Sequence, residues 1–141
     1  MYFIKVEDSF DAAHFLAGYH GKCSNLHGHR WRVEIEVSGD LVSDDPHLNG
    51  MIIDFGELKA DLKRETERFD HQFIIQKESL KDTTVQALQE EGFSLVEVMF
   101  RPTAENFAKY FFDKIAEKGY QVKKAWVYET PNNAACYEAE S

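Results

Sequence analysis

The strongest chemical signal in the chain is His27-Gly28-His29. On a strand, residues two apart project to one side, so both imidazoles can grip a single ion. The alternation of Trp31, Val33, Ile35 and Val37 against Arg32, Glu34 and Glu36 predicts such a strand, closed by Ser38-Gly39-Asp40. Carried backwards, its parity puts His29 and His27 on the apolar side, with Gly28 leaving room on the other. His14 ends an earlier alternating run, in which Ile4, Val6, Phe10 and Ala12 face Lys5, Glu7, Ser9 and Asp11. Three nitrogen ligands with one position left open form the pattern of catalytic rather than structural zinc. The competing interpretation is three polar residues at strand ends, satisfied without a metal.

Four residues before His27 stands Cys23, placed either as a fourth ligand or as a base beside the ion. A neighbouring cation lowers a thiol's pKa from its free value of about 8.5, making thiolate available at neutral pH. The plain alternative is a small buried hydrophobe, which is the interpretation adopted for Cys136. Asp70-His71 offers a carboxylate and an imidazole for proton relay, but adjacent residues in extended backbone point opposite ways, so a turn must bring them together. Glu129 shares parity with Ala125 and Val127, and a carboxylate on an apolar face needs a partner. Two parallel hydrogen bonds to the donor edge of a guanidine-like heterocycle would supply one. Glu105 most simply complements a helix dipole, and His20 and His47 sit in polar, loop-like surroundings.

These residues need elements to hold them. Asp54 with Glu57 predicts a helix N-cap and capping box, followed by Leu58, Leu62, Thr66 and Phe69 at helical spacing, with an end near Asp70-His71. Short elements are expected at Gln72 to Ile75 (strand), Thr84 to Glu91 (helix) and Ser94 to Phe100 (strand). Thr103 caps a second long helix carrying Phe107, Tyr110, Phe111 and Ile115, stopped by Gly119. Strands at Val122 to Thr130 and Ala134 to Glu138 flank the turn Pro131-Asn132-Asn133. The order predicts an α+β fold, an antiparallel sheet with helices on one face. Its open edges are closed if copies associate edge to edge, so an oligomer is expected.

A chain of 141 residues with 43% hydrophobic content supports one domain over 1–141. The net charge of −9 argues against nucleic acid or an anionic membrane as the main partner. Two cysteines do not make a disulfide framework, and no stretch has signal-peptide or bilayer-spanning character, so a cytoplasmic protein is expected.

Phe10-Asp-Ala-Ala-His14, Cys23-x-x-x-His27-Gly-His29, Ile53-Asp54-Phe55-Gly-Glu-Leu-Lys59, Phe69-Asp70-His71, Pro102-Thr-Ala-Glu-Asn106 and Tyr128-Glu129-Thr130, in that order, closely resemble the 6-pyruvoyl-tetrahydropterin synthase family. The three-residue gap between Cys23 and His27 is similar to the branch that forms a 6-carboxy pterin on the way to queuosine. The resemblance implies a tunnelling fold, with a four-stranded antiparallel sheet and two helices on one face, assembled as a trimeric barrel or a hexamer of two. It implies zinc on His14, His27 and His29, Cys23 as proton acceptor, Asp70 with His71 as relay, and Glu129 anchoring the pterin with a further catalytic role. Thr103 and Glu105 would lie near the same pocket. The implied reaction takes 7,8-dihydroneopterin triphosphate to a 6-carboxytetrahydropterin. The alternatives are a pyruvoyl-forming or side-chain-cleaving relative, a non-catalytic zinc-stabilised pterin-binding module, and a zinc hydrolase. The stretch Gln76 to Arg101 is longer and more acidic than a minimal member of the family carries.

Overall fold

The computed structural model describes residues 1–140. β1 (Tyr2–His14) and β2 (His27–Gly39) form a long antiparallel ribbon in which Phe10 faces Trp31 and His14 faces His27. β5 (Val122–Thr130) and β6 (Asn133–Glu138) continue the antiparallel alternation beyond β2. α1 (Phe55–Glu67) and α3 (Ala104–Ala116) pack on the face presented by Val6, Phe10, Trp31, Val33, Ile35, Ala125 and Val127. The α+β fold with helices on one face is therefore as expected.

The sheet is larger than the four strands that the resemblance implies, because the short strands expected near Gln72 to Ile75 and Ser94 to Phe100 join it, and it is mixed, not purely antiparallel. Its order is β4-β3-β1-β2-β5-β6, with β3 (Gln72–Gln76) parallel to β1 and β4 (Leu95–Val98) parallel to β3. A third helix, α2 (Asp82–Glu90), makes the crossover between them. Parallel neighbours require such a connection, which accounts for the length of the stretch after Gln76. No residue of α2 is fully buried, whereas α3 buries Ala104, Phe107, Ala108, Phe111 and Ile115.

Both long helices start where their caps predict. Asp54 Oδ1 accepts from Gly56 N–H at 2.8 Å, and Thr103 Oγ1 accepts from Asn106 N–H at 3.2 Å. The expected capping box is only half formed, since no bond from Glu57 returns to Asp54 among the described residues. Cys136 is exposed on β6, not buried as expected, because β6 ends the sheet. No helix among the described residues is long and apolar enough to cross a membrane.

Polar groups on the core side are matched by partners. Asp8, in the apolar row of β1, accepts from Thr66 Oγ1 at 2.9 Å. Asp61 on α1 accepts from the Tyr120 hydroxyl at 2.5 Å and from Arg64. Burial alone would raise the Asp61 carboxyl, but the Tyr120 hydroxyl and Arg64 outweigh it and hold it below its ordinary value. The unfolded chain then binds the extra proton, so the contribution is full above about pH 4 and is lost as pH falls through the lowered folded value. Tyr120→Phe is expected to destabilise by about 1–2 kcal/mol at pH 7. The difference from wild type should shrink toward pH 3 in urea-unfolding curves; a pH-independent difference would contradict this account.

Candidate metal centre

The structure brings His14, His27, His29 and Glu129 together, with one ligand atom from each mutually within 4.8 Å. Parity does this: His14 is the last residue of β1, His27 and His29 start β2, and Glu129 is near the end of β5. The stacked pair Phe10 and Trp31, ring centroids 5.9 Å apart, forms the floor, and Trp31 meets His14 and His29 edge to face at 4.8 and 5.4 Å. This gives the imidazoles a rigid apolar base.

Hydrogen bonds orient two of the rings. His14 Nδ1 lies 2.8 Å from the Pro102 carbonyl oxygen, and His27 Nδ1 lies 2.7 Å from that of Asn25. A carbonyl only accepts, so each Nδ1 carries the proton and each Nε2 presents a lone pair. Those two Nε2 atoms face each other at 3.1 Å. His29 Nε2 is buried without a hydrogen bond; Glu129 Oε1 is 3.0 Å away but lacks hydrogen-bond alignment. Two nitrogen lone pairs that face each other without a proton between them, with a third imidazole and a carboxylate within reach, fit a divalent cation better than one another. Burial, ahead of the neighbouring imidazoles, pushes His14 down to about 4, and burial likewise lowers His29 against the pull of Glu129. His14 and His29 are thus held toward the neutral form that a metal requires.

Cys23 is outside this group, half-buried on a single 3-10 turn, Lys22–Ser24, that leads into β2. Leu16 N–H donates to its carbonyl at 3.0 Å, closing the loop that began after His14.

Asp70 and His71 form a pair, Nδ1 to Oδ2 at 3.0 Å. The turn that permits it is visible in the backbone: His71 has φ +61, a region that non-glycine residues seldom occupy. Two bonds from β1 hold it there, His71 N–H to the Asp11 carbonyl at 2.6 Å and Asp11 N–H to Asp70 Oδ1 at 2.9 Å. That backbone N–H, more than the adjacent imidazole, keeps the Asp70 carboxyl below the ordinary carboxylate range. The pair stands beside Asp11 and Arg30, joined by a two-pronged ion pair at 2.8 and 3.0 Å, on the strand face opposite His14 and His29. The His71 side chain is 78% exposed, so the relay pair is not brought to its own chain's histidine cluster.

Thr103 sits next to Pro102 and so beside His14, while Glu105 is exposed in the first turn of α3 and has no ion pair among the described residues. His20 and His47 are exposed, as expected. Gly28 is not forced by crowding: a Cβ there would meet the Ala12 carbonyl oxygen at 3.5 Å, an ordinary contact.

Sequence reasoning missed the carbonyls of Pro102 and Asn25, which carry no residue-type signal. It also left open the role of the stretch after Gln76. Leu80, Thr84, Leu88 and Phe93 form one wall of a mostly apolar cleft of about 1060 Å³, and His29, Arg30 and His71 line its other side.

A model of the 6-pyruvoyl tetrahydropterin synthase family matches residues 3–140. The 6-carboxy-5,6,7,8-tetrahydropterin synthase of Haemophilus influenzae is 36% identical, the match covering 98% of this chain and 99% of that one. The enzyme of the same name from Rickettsia felis is 34% identical over 87% of this chain and 90% of its own. In structure, a Wolinella succinogenes protein superposes with a TM-score of 0.78 at 23% identity, over 99% of this chain and 98% of that chain. Plasmodium vivax 6-pyruvoyltetrahydropterin synthase does so at 0.74 and 21% identity, with the same coverage, and these two likenesses carry the fold. With the match running through every strand and helix that builds the histidine cluster, the chain belongs to the 6-pyruvoyl tetrahydropterin synthase family.

Proposed function

We propose that this chain converts 7,8-dihydroneopterin triphosphate to 6-carboxy-5,6,7,8-tetrahydropterin, releasing acetaldehyde and triphosphate, on the route to 7-deazaguanine (queuosine) precursors. Family membership carries the coarser statement, a lyase acting on a pterin. The observation that supports the reading best is the convergence of three imidazole nitrogens beside Glu129.

His14, His27 and His29 would hold zinc, which when bound supplies Lewis acidity toward the substrate's side-chain oxygens and so acidifies the adjacent carbon–hydrogen bond. The Cys23 thiolate, at the mouth of β2, removes that proton. His71, oriented by Asp70, holds a proton and returns it on the other side of the substrate. Glu129 receives the two donors of the pterin's amino-pyrimidine edge, and Thr103 and Glu105 border the same space from the start of α3. As the side chain is oxidised the ring is reduced, so no external redox cofactor enters the balance; with triphosphate eliminated, addition of one water and carbon–carbon cleavage leave the 6-carboxylate and free acetaldehyde.

Besides the short outer side of β4, two longer sheet edges are open, that of β1 over 2–11 and the outer side of β6. In our reading copies join there into a barrel, as a trimer or a hexamer of two trimers. Antiparallel addition of β6 to the next copy's β1 carries the β5–β6 turn, and Glu129 with it, toward that copy's Asp70–His71 pair. This accounts for a relay pair that faces away from its own histidine cluster.

Mass spectrometry of the products from 7,8-dihydroneopterin triphosphate tests the assignment. Acetaldehyde together with a 6-carboxy pterin is the expected result; a 6-pyruvoyl product, or bound pterin without turnover, would overturn it.

A further inference from the structure

We propose that Arg101 is a positioning residue that sets the placement of the Cys23 thiol relative to the histidine cluster. The proposal rests on the assignment of Cys23 as the base.

Arg101 is a guanidinium with no carboxylate partner among the described residues, in a chain of net charge −9. Its Nη2 donates to the Ala17 carbonyl at 3.1 Å, its Cζ lies 5.8 Å from the Tyr19 ring centre, and its Nε is buried without a hydrogen bond. Both contacts are to the loop between His14 and Cys23. That loop has few other ties: Leu16 N–H to the Cys23 carbonyl closes it, and Gly18, at φ +78, reverses it. The Tyr19 ring lies on Gly21, where an added Cβ would meet it at 3.3 Å. The Gly21 carbonyl in turn accepts from the Ser24 amide and hydroxyl at 3.1 and 2.8 Å, which builds the turn that carries Cys23. A continuous path of contacts therefore runs from Arg101 through Ala17 and Tyr19 to the turn that carries Cys23.

The other end of the path is equally fixed. The Arg101 carbonyl accepts from Thr103 N–H at 2.7 Å and from Asn106 Nδ2 at 2.9 Å, tying it to the start of α3. The next residue, Pro102, supplies the carbonyl that orients His14. One dipeptide thus holds a ring of the cluster through its backbone and the thiol's loop through its side chain. The buried Nε keeps that edge of the guanidinium inside the protein, facing the loop.

The test uses metal-loaded protein carrying Cys136→Ala, so that Cys23 is the only thiol. Arg101→Met is expected to lower kcat by about 10–100-fold, the effect of a misplaced group, with KM within about threefold and metal content unchanged. Iodoacetamide should alkylate Cys23 several-fold faster in that variant, because the loop is released while the protein stays folded. Arg101→Lys, which keeps one donor for the Ala17 carbonyl, should recover part of both. Should Arg101→Met fail to fold, Tyr19→Leu breaks the same path at an exposed ring and is expected to move kcat and alkylation in the same directions. A raised KM with unchanged kcat and alkylation would overturn the proposal and make Arg101 a substrate contact; no change in any of them would also overturn it. Alkylation needs no substrate, so absence of turnover in wild type would refute the assigned reaction while the clamp is still decided.

Discussion

Cys23→Ala is expected to reduce kcat by about 10²–10⁴-fold, the range for loss of a positioned acid or base, while metal content stays at the wild-type level. The second half of that expectation comes from geometry. Cys23 is not one of the four groups whose ligand atoms converge; it sits on the preceding turn, held by a backbone bond to Leu16. The proposed mechanism therefore gives this thiol a role toward the substrate and not as a ligand of the ion. Metal analysis beside single-turnover kinetics separates the two roles: loss of the metal in the variant would make Cys23 a ligand and would remove the base from the mechanism.

His27→Ala is expected to lower metal affinity by more than about 100-fold, since loss of an outer-shell partner alone typically costs 10–100-fold and this removes a nitrogen donor itself. Activity should fall with occupancy and return only in part at high metal concentration. His27 suits the test better than His14, because His14 is fully buried and bonded to Pro102, so its loss would also unsettle the core. His27 is half-buried, and its Nδ1 bonds only the local Asn25 carbonyl. Isothermal titration with zinc, combined with a melting curve in chelator, reads affinity and fold separately. Undiminished affinity in a folded variant would remove His27 from the ligand set.

Where function follows local period, it was legible in the chain. His27 and His29 share a face because side chains alternate on a strand, and Glu129 joins them because it shares parity with Val127. Thr103 and Asp54 cap helices because a short polar side chain reaches the free amides of the first turn. The Asp70–His71 pairing, which the family resemblance implied, could not be read from period or propensity. It depends on a left-handed backbone at His71, which no residue type there demands and which two bonds to Asp11 impose. Nor did periodicity reveal that the elements after Asp70 would join the sheet as parallel strands. A strand's own pattern sets which face it buries, but which neighbour it joins and in which direction depends on the edge that the rest of the chain leaves free.

Local period and capping chemistry specify which side chains share a face, where the long helices begin, and which residue types stand near one another along each strand. How those side chains are aimed depends on contacts made across the fold. His14 is turned by a carbonyl 88 positions away, and Asp70 is held by an amide 59 positions away. Every residue carries a carbonyl and nearly every one an amide, so these partners leave no mark in residue type; folding alone selects which of them meet.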